Sequence, residues 1–193
     1  MMVKICGITN REDALAAIGG GAAALGFNFY PASPRYIAPE AAADLISSLP
    51  AVWKVGVFVD EAPQRVLGIA RQAGLDIAQL HGSESRENYP QGIRVWKAIR
   101  VRHGQATEDV DSPAEAVLVD GPGSGETFDW RDVPRFAGKL ILAGGLDAGN
   151  VARAIAQANP WGVDACSRLE SAPGRKDHSK MAEFLKAALG ATA

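Results

Sequence analysis

The sequence predicts a small (β/α)₈ barrel, and three features predict it. Eight short apolar runs rich in Val, Ile, Leu and Ala recur along the 193 residues, apolar at successive positions as in parallel strands covered on both faces. Segments of helical spacing lie between several of them, so the order is strand, helix, strand, helix. The first turn, CGITNRED, lacks the GxGxxG glycines that an open, doubly wound dinucleotide-binding sheet would place there, which ranks the closed barrel ahead of the open sheet.

The elements follow in order. VKIC at 3–6 is the first strand, and Thr9 and Asn10 stand as cap residues before a helix running from Glu12. ALGFNF at 24–29 leads to a helix that opens with Pro39, a residue favoured in a first turn. KVGVFV at 54–59 precedes a helix from Glu61 that Gly74 stops, and IAQLH at 77–81 and VWKAI at 95–99 are the next strands. Residues 101–115 are the weakest stretch, with room for a short helix only. AVLVD at 116–120, LILAG at 140–144, a helix from Asn150 announced by Asp147, GVDAC at 162–166 and a helix from His178 complete the series. Eight strands in this length leave ~24 residues per unit against the ~30 usual for a βαβ step, so helices and loops must be trimmed. No linker, charge run or internal repeat divides the chain, and residues 1–193 read as one domain.

Composition narrows the function. The chain is 47% hydrophobic and 22% charged, with 20 Lys and Arg against 22 Asp and Glu, and such a balance gives no electrostatic footprint for nucleic acid. No apolar run approaches the ~20 residues of a membrane span, and MMVKICGITNRED turns polar too soon for a signal-peptide core, so a cytoplasmic location is expected. Two cysteines, Cys6 and Cys166, are too few for a disulfide framework and leave a thiol available for chemistry.

In a parallel barrel the carboxyl ends of the strands carry the active site, so polar residues there are informative. Lys4 and Cys6 are two apart and share a strand face, which is the barrel interior if Val3 and Ile5 pack on helices; an ammonium there would raise the thiolate fraction of Cys6. The competing reading makes Cys6 a small apolar filler. Asp120 ends an apolar strand before GPGSGETFDW and is either a partly desolvated acid or the stabiliser of its own loop. Gly144 and Gly145, between a strand and a helix, offer bare amides for a phosphate, though a tight turn alone would also explain them. Ser167 and Arg168 follow the last strand and would complete that cradle, unless Arg168 merely pairs with Glu170 or Asp164. Arg35, in the proline-stiffened YPASPRYIAPE loop, suits a ligand carboxylate. His81 ends a strand without metal partners in sight, so no metal is expected.

KICGIT at 4–9, GFNFYPASPRYI at 26–37, VGVFVD at 55–60, QLHG at 79–82, GSGETFDW at 123–130, LAGGL at 142–146 and VDACSRLESAPGRKDH at 163–178 together resemble the phosphoribosylanthranilate isomerase family, in order and over essentially the whole chain. The resemblance implies a (β/α)₈ barrel, no cofactor, a phosphosugar substrate, a monomer or homodimer, and an Amadori-type rearrangement in tryptophan biosynthesis. It implies Cys6 as base, Asp120 as acid, Arg35 on the anthranilate carboxylate, and Gly144, Gly145 and Ser167 on phosphate; Lys4, His81 and Arg168, read from their places near the strand ends and not from the resemblance, are expected as further binding residues. Two features depart from the family. The usual DVSSG reads Asp164-Ala165-Cys166-Ser167-Arg168, and the loop between Asp120 and Thr127 is shorter than in many members. The sister isomerase of histidine biosynthesis has a half-barrel repeat and a second aspartate where Cys6 stands, and a silent phosphosugar-binding barrel would not need both Cys6 and Asp120.

Overall fold

The computed structural model describes residues 1–102, 105–106, 112–121, 127–133 and 138–191. Eight parallel strands close into a barrel: β1 (Met2–Ile5), β2 (Ala24–Asn28), β3 (Trp53–Phe58), β4 (Ile77–Leu80), β5 (Arg94–Arg102), β6 (Ala116–Asp120), β7 (Lys139–Leu142) and β8 (Gly162–Ala165). Each pairs with the next, β4 with β5 in the register Ile77↔Arg94, and β1 returns to β8 through Lys4↔Asp164. The expected strands are all present, with bounds shifted by a residue or two. The main difference is β5, which runs to Arg102 and carries an antiparallel pairing of Val101 with Ala106. The strand read at 95–99 thus continues through Arg100.

Alternation sorts the side chains. Met2, Ala24, Val55, Ile77, Trp96, Leu118 and Ile141 fill the barrel interior, while Val3, Ile5, Leu25 and Phe27 pack outward on the helices. The helices are α1 (Arg11–Gly19), α2 (Pro39–Ser47), α3 (Pro63–Ala73), α4 (Val151–Ala158) and α5 (His178–Gly190). Helix α5 buries Met181, Phe184, Leu185 and Ala188, the i, i+3, i+4, i+7 stripe of a helix lying on strands. The caps are those the sequence predicts: Asn10 accepts from the Asp13 amide, Pro39 opens α2, and Gly74 leaves α3 in the left-handed conformation. Asn150 caps α4 without a side-chain bond into the helix; its Oδ1 accepts instead from the Asp147 amide at 2.9 Å.

The trimming falls on one side of the barrel. Short 3₁₀ turns, Arg86–Asn88 and Trp130–Asp132, stand among the described residues after β4 and β6, where a full barrel has helices. No helix among the described residues is long and apolar enough to cross a membrane.

Candidate active site

The strand ends surround a cavity of about 370 Å³, a size suited to a small ligand. Cys6, Arg35, His81, Asp120, Gly144, Gly145, Ser167 and Arg168 line it, so eight of the nine residues read from the sequence meet in one place. The exception is Lys4. It is fully buried below the cavity, and its ammonium binds Asp164 Oδ1 at 3.0 Å. It stands outside the cavity lining, beside Asp164 and Cys6. The segment 122–126, which holds most of the glycine-rich loop after Asp120, lies outside the described residues.

Cys6 follows β1 and Cys166 follows β8. The two stand side by side because Ile5 pairs with Ala165 and the Cys6 amide donates to the Ala165 carbonyl at 2.9 Å. The Cys166 thiol donates to the Cys6 sulfur, and with the Lys4 ammonium this holds the Cys6 thiol well below its usual range despite burial. Cys166 moves the other way: donating to Cys6 and lying buried next to a thiolate both favour its protonated form. Iodoacetamide at pH 7 is therefore expected to alkylate Cys6 ahead of Cys166, read by peptide mass spectrometry; preferential labelling of Cys166 would reverse the assignment. Below the thiols, burial pushes the Asp164 carboxyl up to about 7, while Asp164 and Cys6 hold Lys4 above its ordinary value against the opposing effect of burial.

Asp120 stabilises its own loop, as one of its two readings has it, and faces a neighbouring imidazole. One oxygen accepts from the Gly121 amide at 2.9 Å and steadies the loop, while the other faces His81 Nε2 at 3.3 Å. Gln79, buried on the same strand as the QLHG motif, places its amide nitrogen 3.3 Å from His81 Nδ1. Accepting that amide proton puts the ring's own proton on Nε2, toward Asp120. The contact between His81 and Asp120 is invisible to sequence reading, since β4 and β6 are not neighbours in the chain.

Gly144 and Gly145 have positive φ (+86° and +62°), so the turn itself demands glycine. At Gly144 a side chain would also strike the Gly121 backbone, its Cβ falling 2.5 Å from that nitrogen. Ser167 opens a single 3₁₀ turn, Ser167–Leu169, rather than a long helix. Arg168 stands on the rim, 46% exposed, with its guanidinium 3.2 Å from Asp147. Asp147 is thus a partner that neither alternative pairing had named, and Glu170 is committed to Arg35, whose guanidinium forks it at 2.7–3.2 Å. Among the described residues no group of three His, Cys, Asp or Glu is arranged to hold a metal ion.

A closed eight-stranded β/α barrel with a thiol and a carboxyl facing one cavity at the carboxyl ends of its strands defines a barrel enzyme of the acid–base type. Comparison with known proteins narrows the class. The chain belongs to the N-(5'-phosphoribosyl)anthranilate isomerase family, whose model matches residues 3–187. The N-(5'-phosphoribosyl)anthranilate isomerase of Solibacter usitatus is 55% identical over 201 residues, covering 99% of this chain and all of that protein. The crystal structure of phosphoribosyl anthranilate isomerase from Thermotoga maritima is 42% identical, with a TM-score of 0.91 over 98% of this chain and 99% of that one. A second such structure, holding reduced 1-(o-carboxyphenylamino)-1-deoxyribulose 5-phosphate, is 41% identical with a TM-score of 0.88 and covers 98% of this chain and 99% of that one.

Proposed function

We infer that the chain isomerises N-(5'-phosphoribosyl)anthranilate to 1-(2-carboxyphenylamino)-1-deoxyribulose 5-phosphate, a step of tryptophan biosynthesis. The observation that carries this is the meeting, in one cavity of a member of this family, of a thiol held toward thiolate and a carboxyl at the end of β6.

The reaction is an internal redox shift: C2' is oxidised from alcohol to ketone while C1' is reduced to a methylene. Asp120 gives a proton to the furanose ring oxygen, the C1'–O bond breaks, and the nitrogen lone pair forms a protonated imine. Cys6 thiolate then removes the C2' proton, and the electron pair of that C–H bond moves through the imine to nitrogen, giving an enolamine. Tautomerisation returns a proton to C1' and leaves the ketone. Positioned acids and bases contribute ~10²–10⁴-fold each. His81, with its ring proton toward Asp120, faces the carboxylate that remains once the proton has left. Arg35 holds the anthranilate carboxylate at one end, and the Gly144, Gly145 and Ser167 amides hold the phosphate at the other, with Arg168 adding charge at the rim; anchoring both ends fixes C2' near the sulfur.

Purified protein given phosphoribosylanthranilate is expected to consume it, followed by the loss of anthranilate-type fluorescence, and a protein without turnover overturns the reading. Arg35→Ala should raise KM about tenfold to a hundredfold, the worth of a charge-assisted contact, with Arg35→Lys restoring only part because a point charge lacks the fork. An unchanged KM in Arg35→Ala would remove Arg35 from the site.

A further inference from the structure

Behind Arg35 lies a charged cluster that the reaction above does not use. Glu170 and Lys176, from the segment after β8, are almost completely desolvated, with 4% and 0% of their side chains exposed, whereas 23% of Arg35 is exposed at the cavity. Lys176 Nζ binds Glu170 Oε1 at 3.1 Å and the Cys166 carbonyl at 3.3 Å. Glu170 in turn receives Arg35 Nε on both oxygens at 2.9 and 3.2 Å, and Arg35 Nη2 on Oε2 at 2.7 Å. Burial alone would raise the Glu170 carboxyl, but the two cations outweigh it and hold it below its ordinary value, so it is charged at neutral pH. The order from interior to cavity is cation, anion, cation.

The geometry of the fork is informative. A guanidinium has two edges that can each meet a carboxylate in bidentate fashion, the Nε–Nη2 side and the Nη1–Nη2 end. Glu170 occupies the side edge, and Nη1 makes no hydrogen bond among the described residues, so the end edge remains for a second anion. The stem of Arg35 reaches this position by crossing Gly7, where a Cβ would fall 2.8 Å from Arg35 Cδ and 2.9 Å from Cys166 Sγ; Gly7 also has φ +75°. An arginine paired with a single glutamate would present no net charge. Lys176 neutralises Glu170 from behind and leaves the triad one positive charge at the cavity.

We propose that Glu170 is a positioning residue that aims the free edge of Arg35 into the cavity, and that Lys176 preserves the positive charge of that edge, so that together they set selectivity for a ligand bearing a carboxylate on its aromatic ring. This deepens the isomerase reading and rests on it for the identity of the carboxylate. Neither residue lines the cavity, so both reach it through Arg35; Lys176 also favours charge on Cys6, an effect common to both ligands of the comparison below.

The test compares two inhibitors by calorimetry: 1-(2-carboxyphenylamino)-1-deoxyribitol 5-phosphate and its phenylamino counterpart without the carboxyl group. The readout is the ratio of their Kd values, which a general loss of folding does not change. The parent should prefer the carboxylated compound at least tenfold. Lys176→Met keeps the Arg35–Glu170 fork but leaves the local charge at zero, and the preference should fall about tenfold. The double variant Glu170→Gln, Lys176→Met returns the local charge to one positive while removing the charged fork, and the preference should stay low because Arg35 is no longer aimed. An unchanged ratio in Lys176→Met overturns the charge role, and recovery of the parental ratio in the double variant overturns the aiming role. A parent that turns the substrate over yet shows no preference for the carboxylated compound overturns the inference while leaving the isomerase reading intact; a parent without turnover overturns that reading first.

Discussion

Cys6→Ser is expected to lower kcat about 10²–10⁴-fold while KM stays within a few-fold of the parent, and Asp120→Asn is expected to do the same. A serine hydroxyl is far less acidic than a thiol, so the donors that favour charge on Cys6, Cys166 and Lys4, cannot produce an alkoxide in its place near neutral pH. In Asp120→Asn the amide oxygen of the new side chain would still accept from the Gly121 backbone, as the carboxylate does at 2.9 Å, so the loop keeps its anchor, while the transferable proton and the acceptor facing His81 are lost. That substitution therefore separates the two parts played by Asp120, in catalysis and in holding its loop. Arg35 and the glycine turn are untouched in both variants, which is why binding should persist. Steady-state kinetics decides the matter: near-parental kcat in either variant removes that residue from the chemistry.

The second large effect concerns stability. Asp164→Ala leaves the fully buried Lys4 ammonium with the Cys6 sulfur alone for a counter-charge and should cost up to about 3–5 kcal/mol in urea denaturation, the range for breaking one side of a buried pair. Replacing both residues by apolar ones of similar volume should recover much of that loss, because no uncompensated charge remains. Lys4→Met should behave differently with pH. Asp164 is raised to about 7 in the folded chain against about 4 when unfolded, so the folded state holds a proton that the unfolded state releases. Stability drawn from this group is therefore greatest at low pH and declines as pH rises toward 7. Without the ammonium the carboxylate is harder still to form, and the deficit of Lys4→Met relative to the parent should widen from pH 4 to pH 8. A deficit that stays constant or narrows would show that Lys4 does not support the charged form of Asp164.

Most of the barrel was legible because parallel strands buried on both faces are apolar at nearly every position, and runs such as AVLVD have no other use in a chain of this length. Helices with clear signals, Asn10 and Gly74 among them, were legible for a similarly local reason. The connections after β4 and β6 were not, since a three-residue 3₁₀ turn leaves no periodicity to detect. The cavity residues were legible as strand ends, yet their partnerships were not. Arg35 and Glu170 are 135 positions apart, and nothing local to either marks the fork between them. The alternative ion pairs open to Arg168 in the sequence, Glu170 and Asp164, lie near it in the chain, while the structure gives it Asp147 from the loop after β7. Lys4 was placed on the correct face of β1, but a face alone does not say how deep a side chain sits. Cys166 was noticed as a departure from family habit, and only the β1–β8 register reveals that it stands beside Cys6.

That register also imposes an order on synthesis. Lys4 and Asp164 are 160 residues apart, and at roughly 5–20 residues per second the ribosome delivers the second about 8–30 s after the first. Until then β1 has only β2 to pair with, and closing the interior around Lys4 would bury a bare ammonium. A nascent chain that stops short of residue 162 has no neighbour for the other edge of β1 and no Cys166 to donate to Cys6. The strongest of the contacts that lower the Cys6 thiol, the Cys166 hydrogen bond, therefore arises only when the eighth strand docks, and until that moment Cys6 has Lys4 of its own strand alone beside it.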